Sequence, residues 1–286
     1  MKREVKPYIL LLPAAVVLLG ILASGIIMAL AQSLGYMPII GLRELTFKYY
    51  VSIISDKSFL ESLIFSLKIS LISSIIAVIV GVVLAYSMLI NKHRVSIEKT
   101  LYILPIIVPH MVASFLMFNI LSQSGLLPRI LYGLGMLKEQ SHFPNLIFDR
   151  HGIGIIMTYL WKEIPFVAMV VYAFMSNINR NLEEVAVNLG ASRRQRFWYI
   201  ILPLSWPSII SSFIIIFAFS FGAFEVPYLL GPTTPKTLPI KAFIEYSNPD
   251  ISNRPYAMAL NVILTFISII IVWIYDKTLS LVCRNI

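Results

Sequence analysis

The sequence predicts an all-α polytopic membrane protein with six transmembrane helices. Three observations carry that prediction. Hydrophobic residues make up 58% of the chain and charged residues 13%, with a mean hydropathy of +0.83, whereas soluble domains carry about 25% charged residues. Six apolar runs approach or exceed the ~20 residues that a helix needs to cross a bilayer. The basic residues that give the net charge of +9 lie mostly in short segments between those runs, a distribution that fits membrane orientation better than nucleic-acid binding.

In chain order, the basic stretch MKREVKP precedes a first span at about 8–32. That run is too long for a secretory signal and lacks a small-residue cleavage site, so it reads as an anchor. A polar segment follows, then a second span at about 60–90 with Lys68 near its start. The basic loop 91–99 leads to a third span at about 101–121, interrupted by Pro105 and Pro109. After a longer loop, a fourth span at about 151–175 contains Lys162, Glu163 and Pro165. A polar and basic stretch at 177–207 separates it from a fifth span at about 208–224. The proline-containing segment 225–255 reads as loop or re-entrant chain, and the sixth span covers about 256–283. No repeat or second folded domain is visible, so residues 1–286 read as one transmembrane domain. With the N-terminus inside, twelve of the 23 Lys and Arg residues fall on inner segments and nine on longer outer ones. The higher inner density predicts that both termini are cytoplasmic.

The stretch 177–207 has the most complete local grammar. Asn181 with Glu184 forms a cap-plus-three pattern that starts a helix. Leu182, Val185, Ala186 and Leu189 then share one apolar face. Gly190 follows, where a helix end wants a residue that tolerates positive φ. Ser192 with Gln195 repeats the capping pattern. A helix over 182–189 is about 12 Å long at ~1.5 Å per residue, too short to span but long enough to dock.

Glu184, Ala186, Gly190, Ile200, Leu202 and Pro203 fit E-x-A-x3-G-x9-I-x-L-P. This resembles the EAA loop in permease subunits of ATP-binding-cassette importers, the type I, binding-protein-dependent class. Val185 replaces the middle alanine and keeps the face apolar. The resemblance covers roughly residues 60–280 and includes LPIIVPH (104–110), WKEIPF (161–166) and FGAFEVPYLLGP (221–232). The last segment and NLGAS (188–192) lean toward the polyamine, ferric-iron and thiamine branches. The resemblance implies a type I importer permease fold in a prokaryotic inner or plasma membrane. It implies that Leu182, Glu184, Val185, Ala186, Leu189, Gly190, Ile200, Leu202 and Pro203 couple to a separate ATPase. ATP and Mg would be bound by that partner, since no GxxxxGK[ST] occurs here. Further partners implied are a second permease chain, more in keeping with a paralogue than an identical copy, and an extracytoplasmic solute-binding protein. Polyamine leads as substrate, with ferric iron, thiamine, phosphonate or another small solute as alternatives.

Charges inside spans are costly and usually functional, which singles out Lys162 and Glu163, with Pro165 as a kink site, for the translocation pathway. Glu225 and Pro227 join them as a carboxylate and a turn at the end of span five. Snorkelling of Lys162 and loop capping by Glu225 are the structural alternatives. The cluster Arg193, Arg194, Arg196 reads as a positive-inside anchor rather than an ATPase contact. Pro105 and Pro109 read as helix-shaping and His110 as packing. Scattered histidines and the lone Cys283 predict neither a metal site nor a disulfide. An intramembrane enzyme would need HExxH, GxSxG or paired intramembrane aspartates. None occurs, and Asp56, Asp149, Asp250 and Asp276 sit at span ends or in loops. A non-ABC channel or secondary transporter would not need the docking helix.

Overall fold

The computed structural model describes residues 2–90, 103–178 and 185–284. Among these residues there is no β-strand, only an isolated bridge between Met37 and Leu42. Six helical segments are long and apolar enough to cross a membrane: Leu10–Ser33, Lys57–Ile90, His110–Gly133, Ile153–Met175, Arg193–Gly222 and Ile251–Ile274. The named α-helices begin with α1 (Lys2–Ser33), α2 (Lys48–Ser55), α3 (Lys57–Ile90), α4 (His110–Leu121), α5 (Leu126–Gly133) and α6 (Ile153–Met175). They continue with α7 (Arg193–Arg196), α8 (Leu202–Gly222), α9 (Glu225–Leu230), α10 (Leu238–Tyr246) and α11 (Arg254–Arg284). The helical content and the six spans match the all-α fold class expected from the sequence.

Several bounds differ from those read from hydropathy. The fifth span does not begin at 208. A π-helical turn, Phe197–Ile201, joins α7 to α8, so the helix runs unbroken from Arg193. Pro203 lies in the first turn of α8, directly after the π turn. The loops at 33–58, 122–150 and 225–255 contain the short helices α2, α5, α9 and α10, whose lengths fall below what hydropathy windows detect.

The chain divides into two compact units, residues 1–60 with 241–266 and residues 61–240 with 267–286. In the first, α1 is apolar on all sides, and its side chains from Leu10 to Met28 are exposed. Such a helix is stable where lipid covers it. A half-buried ion pair ties α2, α3 and α10 together in the rest of this unit. Lys241 Nζ lies 2.6 Å from Asp56 Oδ2 and donates to Ser58 Oγ at 3.0 Å. Tyr256 Oη reaches Asp56 Oδ2 at 3.4 Å, and Asp56 Oδ1 accepts from Ser58 N at 2.9 Å, opening α3.

The second unit has two apolar clusters that share α3 and α6. One joins Phe65 and Ile69 of α3, Met117 and Leu121 of α4, Ile155 and Tyr159 of α6, and Val226 and Leu230 of α9. The other joins Ala77, Val82 and Ala85 of α3, Val167, Val171 and Met175 of α6, and Ile209 and Ile216 of α8. The second cluster is dense because Gly81 lets α3 and α6 approach. A Cβ there would lie 2.7 Å from Val167 Cγ1, well inside van der Waals contact. Between the clusters, α6 carries Lys162 and Glu163.

The Lys241 ammonium beside Asp56 holds its carboxyl below the usual value of 3.8. A depressed folded value gives stability that is present above the ordinary aspartate range and lost as pH falls through the folded value. Asp56 keeps a third of its side chain exposed, so a double-mutant cycle with Lys241→Met and Asp56→Asn should give a coupling of about 1 kcal/mol. Thermal melts in detergent should show the difference between the native chain and Asp56→Asn shrinking below about pH 4. A pH-independent difference would mean that Asp56 acts through its hydrogen bonds alone.

Candidate translocation and coupling site

The stretch expected to couple is described from Val185 onward; Leu182 and Glu184, with the expected Asn181 cap, lie outside the described residues. Val185–Asn188 forms a helical turn. Its end is a Schellman closure: Ala191 N donates to Ala186 O and Gly190 N to Val187 O, both at 2.9 Å. Gly190 has φ +80°, the left-handed conformation that glycine adopts without Cβ strain. Ser192 then caps α7 reciprocally. Its hydroxyl accepts from Gln195 N at 3.3 Å, and its own N–H donates to Gln195 Oε1 at 2.8 Å. The chain thus reverses direction within three residues.

The apolar face expected here divides in two. Val185 and Leu189 are exposed, Leu189 by 82%, whereas Ala186 is buried. Val187, Trp198 and Tyr199 extend the exposed apolar surface. Ile200 belongs to the π turn, and Leu202 and Pro203 begin α8. Behind the turn, Tyr86 of α3 donates its hydroxyl to Arg193 O at 3.1 Å and packs its ring against Phe197 in a tilted arrangement, centroids 4.4 Å apart. Arg193 and Arg194 point to solvent, and Arg196 is half-buried.

The residues expected along a pathway fall into two groups. Lys162 and Glu163 are both buried, at 6% and 5% exposure. Lys162 Nζ donates to Pro105 O at 2.9 Å and also to Val108 O. In an α-helix the carbonyl of residue 105 accepts from the N–H of residue 109, and Pro109 has none. The ammonium therefore replaces the donor that the proline removed, at the break just before α4. Glu163 turns the other way and accepts from Ser220 Oγ of α8. A cavity of about 200 Å³ opens beside both, lined also by Ile106, His110, Phe166, Ile215, Ile216 and Phe219. His110 stacks on Phe219 with ring centroids 4.4 Å apart.

Pro165 is buried in the next turn of α6. Glu225 is the first residue of α9, where a carboxylate complements the helix N-terminus. Neither Glu225 nor Pro227 lines this cavity, although Glu225 is within electrostatic reach of His110. The site thus gathers Lys162 and Glu163 and leaves Glu225 and Pro227 apart. It adds His110, Phe219 and Ser220, which the linear pattern did not select. A histidine inside an apolar run was the available signal for His110.

Residues 77–277 match the family described as "Binding-protein-dependent transport system inner membrane component". The chain belongs to this family. As a member of that family, with six helices long and apolar enough to cross a membrane, it is a multi-pass inner-membrane component of a transport system. It is 27% identical over 186 residues to the spermidine/putrescine transport system permease protein PotB of Haemophilus influenzae, covering 65% of this chain and 63% of that one. It is 30% identical over 135 residues to the sulfoquinovosyl glycerol permease protein SmoG of Agrobacterium fabrum, covering 46% and 42%. The permease therefore matches less than two thirds of the length of these relatives. Its fold matches a chain of a bacterial ABC transporter that imports the acidic polysaccharide alginate, with TM-score 0.81, 21% identity and coverage of 98% and 96%. A chain of a methionine ABC transporter in an inward-facing form gives TM-score 0.60 at 16% identity, covering 78% and 95%.

If Lys162 serves the proline break, Lys162→Met should destabilise this permease by roughly 2–3 kcal/mol, because two buried carbonyls lose a charged donor. Lys162→Arg, which keeps the charge and donors, should recover part of the loss. Protease cleavage near residues 105–110 in detergent checks this. Unchanged stability and protection in Lys162→Met would remove Lys162 from that role.

Proposed function

We propose that this chain lines half of the translocation pathway of an ABC importer and receives its driving force at the stretch 182–203. The observation that carries this reading is a closed reversal at Gly190–Ser192, with exposed Val185 and Leu189, ahead of a helix that runs to the charged layer. Leu182, Glu184, Val185, Ala186, Leu189, Gly190, Ile200, Leu202 and Pro203 form the coupling region. Val185 and Leu189 would enter a groove of a separate ATPase, which would hold ATP and Mg. The exposed apolar surface explains why a partner is needed: left in water, it has no cover. A second permease chain, more in keeping with a paralogue, would complete the pore, and a solute-binding protein outside the membrane would deliver the substrate. Both termini would lie in the cytoplasm.

For the substrate, we favour a polyamine. Relatives from several bacteria, at 27–28% identity, are spermidine/putrescine permeases, and a buried carboxylate faces the cavity beside span four. Lys162, Glu163 and Pro165 would border the path, with Glu225 and Pro227 nearer its margin.

Two measurements test this reading. Leu189→Asp and Gly190→Val should both eliminate co-purification of an ATPase and reduce uptake at least tenfold, while membrane insertion persists. Leu189 is exposed and Gly190 has open space around its Cα. The local cost is therefore confined to the positive φ, about 1–2 kcal/mol. Retained ATPase binding in both variants would place the coupling surface elsewhere. Separately, cells expressing the complete transporter should accumulate labelled putrescine or spermidine. Uptake of a neutral sugar with no polyamine uptake would replace the substrate assignment but keep the permease reading.

A further inference from the structure

We propose that the cavity beside Glu163 is a binding site for an alkylammonium cation, with Glu163 Oε2 as the receptor of the charge. The inference deepens the polyamine reading above and rests on it for the choice of ligand. Glu163 is 95% removed from solvent in the middle of span four. Its Oε1 accepts from Ser220, but Oε2 has no hydrogen-bond partner. Ser73 offers a second hydroxyl within hydrogen-bonding reach of the same carboxylate, and here that hydroxyl donates to Ser70 O at 3.2 Å. A buried carboxylate oxygen without a partner is unfavourable, and such a group is relieved by taking up a proton or by pairing with a cation or donor.

The obvious internal candidate is engaged elsewhere. Lys162 directs its ammonium to the carbonyls of Pro105 and Val108, and no ion pair joins it to Glu163 among the described residues. The two neighbours point to different helices, because adjacent residues on a helix do not face each other. Lys162 thus stabilises the backbone and leaves the carboxylate uncompensated.

The rest of the cavity decides what kind of cation fits. Apart from Lys162, Glu163 and His110, its walls are apolar, with Phe166, Ile215 and Phe219 prominent. His110 turns a ring face to Phe219 rather than toward a carboxylate. A hydrated metal ion would find one oxygen ligand where it needs about six. An ammonium group satisfies one carboxylate with a charge-assisted bond, and an attached methylene chain lies against the apolar wall. At about 200 Å³ the cavity holds the equivalent of several waters at ~30 Å³ each, enough for a short alkyl chain.

The test uses the full chain, purified in detergent and also in native membranes, and a hydrophobic carbodiimide that modifies carboxyl groups in apolar surroundings. Modification of Glu163 is read by mass spectrometry, with Glu163→Gln identifying the modified position. n-Butylammonium and putrescine should each slow the labelling about tenfold at roughly ten times the half-protecting concentration, and 1-butanol should not. Ser220→Ala, which keeps the carboxylate and removes its one hydroxyl partner, should still be protected by n-butylammonium. Absence of labelling at Glu163, labelling that the amines do not slow, or equal protection by 1-butanol overturns the proposal. Uptake separates it from the substrate reading: protection by n-butylammonium without polyamine uptake keeps this site and removes the substrate, and polyamine uptake without protection does the reverse.

Discussion

The donation from Lys162 to two carbonyls at the proline break is the interaction on which this permease unit depends. Hydrocarbon supplies no donors, so every backbone group at membrane depth must find a partner in the protein. Pro109 denies a donor to Pro105 O, and the third span cannot continue as one helix through that point. A charged side chain 57 residues away in sequence closes the gap at 2.9 Å. This bond places the N-terminus of α4, and with it His110, against α6 and α8. Without it the cavity would lose one wall.

The same demand explains the polar residues along the spans. Several buried serines, and Thr158, satisfy themselves by donating back along their own helix. Ser66 bonds Ser62 O, Ser70 bonds Ser66 O, Thr158 bonds Gly154 O, Ser205 bonds Ile201 O and Ser212 bonds Ser208 O, all at 2.7–2.9 Å. Such residues cost little in a membrane because no distant partner is required. Charged groups have no such local remedy. Asp56 and Lys241 neutralise each other in their own unit. Lys162 is matched by carbonyl dipoles. Glu163 is different in kind, since one of its oxygens is left over.

What could be read from the sequence follows the range of each interaction. The spans were legible because lipid imposes one rule on about twenty consecutive residues. The reversal at Gly190 and the Ser192–Gln195 capping box were legible because their partners lie within a few residues. Lys162 and Glu163 could be found as charges in an apolar run, but their partners could not. Nothing local to span four points to a carbonyl in span three or a serine in span five. The start of span five was placed too late because Arg193, Arg194 and Arg196 lower the hydropathy without breaking the helix. Short helices such as α9 and α10 escaped for the opposite reason: prolines suggested loop, yet each proline sits where a helix can tolerate it or begin.

The run from Arg193 to Gly222 gives the proposed coupling region a mechanical route to the charged layer. Thirty residues in one helical run extend about 45 Å at ~1.5 Å per residue, with Ser192 capping one end and Ser220, the partner of Glu163, near the other. A helix held by packing moves as a body, so displacement at the reversal reaches Ser220 unless the run yields on the way. The point at which it can yield is defined. The π turn at Phe197–Ile201 has looser hydrogen bonding than the α-helix around it, and Tyr86 grips the chain just before it through Arg193 O and Phe197. Beyond the turn, Ile209 and Ile216 are locked into the cluster with Val167 and Val171. Motion entering at Ser192 therefore has two outcomes: flexing at the π turn, or a shift of α8 against α6. Only the second alters the bond between Ser220 and Glu163, which makes the packing around Ile209 and Ile216, rather than the loop itself, the element that determines whether force reaches the carboxylate.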